Sequence, residues 1–194
     1  MTTLAVRIDK LYDAGSFEEL YPEQIAGYIV GRGLINGRTV CLCASNTERP
    51  KWSPLATLRK ENLFLEYMQE HPAPVVFMMD APNFSSTSSG SSPVPPDADE
   101  LQVGHHCVGR TYYLQARLQQ LMPMVGVLCG QVGAALSFPL TLCDVAVMVD
   151  GSAMCIGRPD AVRLMVGENV TYDELGGAVK HCTCLLYTSD AADE

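Results

Sequence analysis

The 194-residue chain has no long hydrophobic segment. A membrane-spanning helix needs roughly 18 or more consecutive apolar residues, and the longest apolar run, Met122 to Cys129, has only the length of a strand. Basic residues are also few: 13 Lys and Arg face 22 Asp and Glu, which gives a net charge of −9. An acidic chain without a basic cluster is unsuited to nucleic acids and anionic membranes, so neither is expected as a partner. The N-terminal residues lack the apolar core of a signal peptide, which favours the cytoplasm, or the mitochondrial matrix in a eukaryote.

The usual side-chain motifs of catalysis are missing as well. The chain contains no Gly-x-Ser-x-Gly, no His-Glu-x-x-His and no phosphate-binding loop with a lysine. No two of its eight cysteines form a Cys-x-x-Cys pair, so we interpret them as small core residues in a reducing compartment. The adjacent His105 and His106 point in different directions on a helix, and we expect a helix start or loop there rather than a metal site.

The 47% apolar and 18% charged content is typical of a globular domain and excludes disorder for the whole chain. A hairpin is predicted around Asn36-Gly37, because a type I′ turn needs positive φ at both central residues. A long loop is predicted over 81–100, where Ser, Pro, Gly, Asn and Asp dominate. Strands alternate with helices, which indicates an α/β protein. Further strands are predicted over 74–79, 124–129 and 144–149, and helices over 54–70, within 104–122, from 134, and over 159–166.

Two places could carry chemistry. Asp80 ends a buried strand and is interpreted either as a site residue or as the cap of the following turn. Gly130-Gln-Val-Gly133-Ala-Ala135 follows a second buried strand and leads into a helix, whose free N–H groups favour negative charge. Such a turn could stabilise an oxyanion without any side chain, but it is equally compatible with a packing role alone.

Several segments resemble the biotin-dependent carboxyltransferases that act on acyl-CoA. The segment 7–20 is similar to the opening of these proteins, 27–37 to their first hairpin, and 109–116 to a helix of the propionyl-CoA and methylcrotonyl-CoA carboxylase β subunits. The most specific similarity is the ordered set Gly157-Arg-Pro-Asp-Ala-Val162, Val166-Gly-Glu-Asn-Val-Thr171, Glu174-Leu-Gly-Gly-Ala178 and His181. The resemblance extends from Arg7 to His181 and favours this family over crotonase-type hydratases or isomerases.

The resemblance implies a crotonase-like (ClpP/crotonase) fold of repeated β-β-α units, here incomplete. It also implies transfer of a carboxyl group from carboxybiotin to the α-carbon of an acyl-CoA, through an enolate held by backbone N–H groups. The donors would be Gly133, Ala134 and Ala135, with the two alanines standing where the family usually has Gly-Gly. Their methyl groups narrow the approach to the amides.

The resemblance further implies a substrate-binding role for Gly130 and for two loops. Where the family has Asp-Ser-Gly-Gly-Ala, this chain has Asp80-Ala-Pro-Asn-Phe84; Asn83 and Phe84 would contact the substrate, and Pro82 has no N–H to donate. In the loop 46–52, Arg49 and Lys51 would meet the phosphates of CoA.

Residues 1–183 are expected to form a truncated N-terminal carboxyltransferase lobe. The expected partners are a biotin carboxylase or biotin carrier subunit, and further copies of the chain through the missing second lobe; alone, the fragment is expected to be inactive. Two alternatives stay open: the α subunit of a biotin-dependent acyl-CoA decarboxylase, and a divergent non-catalytic assembly subunit.

Residues 184–194 form a tail with no periodicity. Back-translation of Cys184-Leu-Leu-Tyr-Thr-Ser gives a sequence that resembles the transposon end of sequencing-library adapters. We therefore expect this tail to be a read-through product rather than part of the fold.

Overall fold

The computed structural model describes residues 3–46, 54–80 and 103–184. The helices are α1 (Leu4–Leu11), α2 (Pro54–Glu70), α3 (Val108–Leu118), α4 (Ala134–Thr141), α5 (Pro159–Val166), α6 (Tyr172–Gly176) and α7 (Ala178–Cys184). The strands are β1 (Glu18–Leu20), β2 (Tyr28–Ile35), β3 (Arg38–Ser45), β4 (Val75–Met79), β5 (Met124–Leu128), β6 (Gln131–Gly133), β7 (Val145–Met148) and β8 (Ala153–Cys155). The predicted loop over 81–100 and the tail from 185 onward lie outside the described residues.

A six-stranded sheet with the order β1-β2-β3-β4-β5-β7 forms the centre of the fold. The first three strands pair antiparallel, and β3, β4, β5 and β7 pair parallel. A second sheet consists of the parallel strands β6 and β8. Strands that are linked through helices and pair in parallel confirm the α/β prediction.

The predicted hairpin is present, with β2 and β3 joined at Asn36 and Gly37, whose φ values are +50° and +74°. Two short strands differ from the predictions. Glu18–Leu20, where no strand is predicted, forms β1 against β2, and Gln131–Gly133, expected to be a turn, forms β6 against β8. Three residues are too few to show a period of two, so the partner strand decides both cases.

The central sheet separates two apolar layers. On one face, Cys43, Phe77 and Leu128 pack with buried residues of α2, α3 and α4. On the other face, Leu42 and Val76 pack against α1. Successive strand residues alternate between the faces, as the pleat requires. Cys41, Cys43 and Cys143 are fully buried core residues, which confirms the structural interpretation for these three.

Gly31 and Gly33 of β2 lie directly beside aromatic side chains. A Cβ built on Gly31 would lie 2.5 Å from the ring of Phe17, and one on Gly33 would lie 2.5 Å from the ring of Tyr12. These aromatic residues belong to the segment that folds back over the hairpin. The two glycines are therefore required for packing.

Asp13 secures the hairpin turn from outside. Its two carboxylate oxygens accept hydrogen bonds from Asn36 N (3.0 Å) and Gly37 N (2.8 Å). We expect Asp13→Ala to lower the free energy of unfolding by about 1 kcal/mol, because two turn amides lose a charged acceptor in an exposed position. Urea denaturation measures the loss. Asp9→Ala removes an exposed carboxylate from α1 as the matched control, and an equal loss in both variants would contradict the role of Asp13.

Candidate functional site

The carboxyl ends of the parallel strands β3, β4 and β5 meet at one edge of the sheet. β4 and β5 end in register at Met79 and Leu128, and Cys129 N donates to Met79 O at 2.8 Å. Ligands of open α/β sheets bind outside this edge, where loops and helix N-termini converge. Asp80 directly follows β4, and Gly130 lies two residues after the end of β5.

Asp80 is held by two neighbours at this edge. Its carboxylate forms an ion pair with the Arg7 guanidinium of α1, with 2.9 Å between Nη1 and Oδ2. Ser45 Oγ accepts from Asp80 N at 2.6 Å and donates to Asp80 O at 2.7 Å. Sequence reasoning placed Asp80 at the strand end but missed both partners, since Arg7 lies 73 residues away in the chain.

The N-terminus of α4 follows β6 directly. Gly133 is the N-cap, with φ −116° and ψ 175°, and no side chain caps this end of the helix. Ala134 and Ala135 are the first helical residues, whose N–H groups have no partner inside the helix. A Cβ on Gly133 would make only ordinary contacts, 3.7 Å from Cys155 O and 3.9 Å from Arg158 Cγ. The turn therefore has room beside its backbone.

Arg158 is a cation that sequence reasoning did not single out. It lies beside Gly133, and its guanidinium pairs with Asp160 at 2.9 Å. Its place within the family-like segment 157–162 was the only available signal. Gly130 lies between β5 and β6. Its carbonyl oxygen accepts a hydrogen bond from Ala153 N of β8 at 3.2 Å, which connects this turn to the second sheet.

A cavity of about 430 Å³ opens at the first turns of α2. Its wall combines apolar side chains with the cationic Arg59 and with His106. Burial lowers the pKa of His106, and the neighbouring His105 lowers it further. His105 and His106 lie in the turn before α3, as expected, but nothing in the sequence indicated that His106 lines a cavity. The remaining lining residues are Gln24, Ile25, Leu55, Ala56 and Leu63.

The other predicted substrate contacts, Arg49, Lys51, Asn83 and Phe84, lie outside the described residues, as does Pro82. Within residues 3–46, 54–80 and 103–184, no group of three or more His, Cys, Asp or Glu side chains could hold a metal ion. No helix of the described part is long and apolar enough to cross a membrane.

The segment Glu174-Leu-Gly-Gly-Ala178 packs against β8, close to the α4 N-terminus. Thr171 and Glu174 form a capping box at the start of α6, which holds the pKa of the Glu174 carboxyl below its ordinary value. A Cβ on Gly176 would lie 2.0 Å from Met154 O, and Ala178 N donates to Ser152 O at 3.0 Å. This motif is thus a tight backbone-to-backbone contact.

Comparison with known proteins gives consistent matches. The carboxyl transferase domain model matches residues 97–184. The uncharacterized carboxylase YngE of Bacillus subtilis (strain 168) is 30% identical in an alignment of 162 residues that covers 81% of this chain and 29% of that protein. The mitochondrial methylcrotonoyl-CoA carboxylase beta chain of Dictyostelium discoideum is 31% identical in an alignment of 193 residues that covers 91% of this chain and 31% of that protein.

The fold matches too. The crystal structure of the beta subunit of P. aeruginosa geranyl-CoA carboxylase superposes with a TM-score of 0.73 at 27% identity, over 95% of this chain and 37% of that one. The chain spans about a third of the length of each of these three proteins. The structural neighbours are crotonase-fold carboxyltransferases, which confirms the crotonase-like fold. On sequence and fold together, this chain is similar to the biotin-dependent acyl-CoA carboxyltransferases.

Proposed function

We propose that this chain is the acyl-CoA-binding lobe of a carboxyltransferase, which carries a carboxyl group from carboxybiotin to the α-carbon of the acyl group. The observation that carries the proposal is the uncapped N-terminus of α4 at the carboxyl edge of the parallel sheet. Loss of the α-proton places negative charge on the thioester oxygen. Preorganised backbone N–H groups stabilise such a charge better than water does, because they need no reorganisation.

The donors are the amides of Gly133, Ala134 and Ala135 in this proposal. The helix dipole of α4 favours negative charge at the same point. The side chain of Arg158, whose guanidinium pairs with Asp160, passes beside Gly133, and the space there admits the substrate. Biotin on a separate carrier would supply the carboxyl group, so the lobe itself needs few titratable side chains.

The CoA portion is assigned to the region around the start of α2. Arg49 and Lys51 precede this helix in the sequence. The cavity lined by Arg59 and His106 lies beside the first turns of the helix. A nucleotide with phosphate groups suits a site that joins apolar walls to cations. Gly130, Asn83 and Phe84 would contact the acyl end, next to the amides.

Exposed apolar surface on α5 and β7 supports the expected partner subunits. None of the eight residues of α5 is buried, and Leu164 and Met165 are 81% and 85% exposed. Val145 and Val147 of the edge strand β7 are also half exposed. Apolar surface of this kind marks an interaction site. We infer that a second carboxyltransferase lobe, from another copy in a homo-oligomer, covers it, and that a biotin carboxylase or carrier subunit delivers the carboxyl group. The chain alone would then show no turnover.

One observation favours the non-catalytic alternative. Pro82 stands where the family usually has a glycine, and it cannot donate a hydrogen bond. Calorimetric titration with a panel of acyl-CoA thioesters distinguishes the enzymatic proposals from the non-catalytic assembly subunit. Absence of CoA binding would exclude the carboxyltransferase and the decarboxylase, whereas binding together with biotin-dependent CO₂ exchange in the assembled enzyme would exclude an assembly subunit.

The variant Ala134→Pro tests one amide donor directly. Proline is favoured at the first helical position and Gly133 already has the extended conformation that precedes proline, so the fold should tolerate it. We expect the Kd for acyl-CoA to rise about fivefold, as for one lost hydrogen bond, and turnover of the assembled enzyme to fall about a hundredfold.

Ala134→Gly is the matched control, because it changes the same residue at the start of α4 but keeps the N–H. Unfolding in urea checks that both variants keep their stability. Unchanged binding and turnover in Ala134→Pro would remove this amide from the site.

A further inference from the structure

The point where the chain leaves β4 is fixed on two sides. Ser45 of the neighbouring β3 is only 5% exposed, and its hydroxyl bonds both the N–H and the carbonyl of Asp80. The Arg7 guanidinium binds the carboxylate of the same residue. Backbone and side chain of Asp80 are thus held by different elements. Both restraints hold the carboxyl end of β4 in place.

Arg7 reaches this edge from the far side of the sheet. Leu4 and Ile8, one turn apart on α1, are each 6% exposed and pack against Leu42 and Val76. The helices α2, α3 and α4 cover the opposite face. The Arg7–Asp80 pair therefore connects a helix outside the candidate site to the strand end that borders it.

The charges of Arg7 and Asp80 also lie close to the end of β5. Burial raises the pKa of the Cys129 thiol, Arg7 opposes that rise and Asp80 adds to it. Cys129 directly precedes Gly130, so the pair lies between the two strand ends that frame the site. An uncompensated carboxylate at this place would repel negative charge on a substrate. Arg7 removes that repulsion.

We propose that Arg7 is a positioning residue of the acyl-CoA site: it fixes the carboxyl end of β4 and neutralises Asp80 there. The charge part rests on the proposed function, whereas the positioning part does not. Arg7 touches no reacting atom in this proposal and acts only through Asp80.

Amide hydrogen exchange tests the positioning part without any ligand. Arg7→Met should raise the exchange rate at the end of β4, in residues 75–80, about tenfold, because one of the two restraints on Asp80 is lost. Lys10→Met removes the same charge from an exposed position of the same helix and should leave this segment unchanged. Equal protection in wild type and Arg7→Met would overturn the positioning role.

Binding of acetyl-CoA and malonyl-CoA tests the charge part, since these ligands differ by one carboxylate. In Arg7→Met, the Kd for malonyl-CoA should rise about three- to tenfold more than the Kd for acetyl-CoA. The double variant with Asp80→Asn should restore the wild-type ratio, and Arg7→Lys, which keeps the charge, should retain it. An unchanged ratio in Arg7→Met would overturn the charge role.

Wild-type protein that binds neither CoA ester would overturn the proposed function and the charge role together. The exchange measurement would then still decide the positioning role. If Arg7→Met does not fold, Arg7→Lys and Asp80→Asn supply the same comparisons, and exchange in Asp80→Asn that matches wild type would overturn the proposal.

Discussion

Gly176→Ala is expected to lower the free energy of unfolding by at least about 3 kcal/mol, which is more than most core substitutions cost. The added Cβ would lie 2.0 Å from Met154 O, 3.0 Å from Met154 C and 3.2 Å from His181 Nε2. The carbonyl belongs to β8, so backbone must move before the methyl group fits. Displacement of β8 also disturbs β6, which pairs with it and leads into α4. We therefore expect loss of acyl-CoA binding along with stability.

Gly109→Ala is the matched control for this variant. It is the same substitution in another helix, and its Cβ would meet only Cys107 Sγ at an ordinary 3.8 Å. Because alanine is a better helix former than glycine, this control should be neutral or stabilising by up to about 1 kcal/mol. Urea denaturation of both variants gives the comparison. A Gly176→Ala protein as stable as wild type would show that α6 does not pack on β8 as described.

The second large effect concerns the pH dependence of stability. Glu61 of α2 is 3% exposed, and its Oε1 has no hydrogen-bond partner among the described residues. Burial raises the pKa of this carboxyl from about 4.5 to about 8. Its charge, when present, acts on Tyr28, Cys43 and Tyr112 around it. At neutral pH the folded protein thus holds a proton that the unfolded chain releases.

The sign of the effect follows from linkage. A carboxyl whose pKa is higher in the folded state contributes its full stability below about pH 4.5, and this contribution is lost as the pH rises to about 8. The upper bound is about 5 kcal/mol, from about 1.4 kcal/mol for each pH unit between the two values. Glu61→Gln, which cannot ionise, should abolish this part of the pH dependence.

Urea denaturation at pH 5 and pH 8 measures the difference. Between pH 5 and pH 8, the free energy of unfolding of the wild type should fall by a few kcal/mol more than that of Glu61→Gln. Glu70→Gln, an exposed position of the same helix, should behave as wild type. Parallel pH profiles for wild type and Glu61→Gln would mean that the folded state ionises Glu61 as readily as the unfolded chain does.

The elements that carry local signals could be predicted from the sequence. The Asn36-Gly37 hairpin depends on the backbone freedom of two adjacent residues, and the buried strands β4 and β5 show as continuous apolar runs. The candidate amides at the start of α4 could also be anticipated, because a glycine-containing turn after a strand predicts a helix N-terminus. Each of these depends on residues close together in the chain, where steric and solvation preferences act directly.

Only the tertiary structure decided the contacts between distant segments. The pair of Arg7 and Asp80, the position of Arg158 beside Gly133, and the contact of Gly176 with Met154 O join residues that have no local relation. The short strands β1 and β6 likewise exist because a partner strand satisfies their backbone groups. The sequence by itself determined the α/β class, the family-like motifs and the turn that opens α4. The packing of the sheet decided which charges and amides meet, because close approach depends on how separate elements fit together in space.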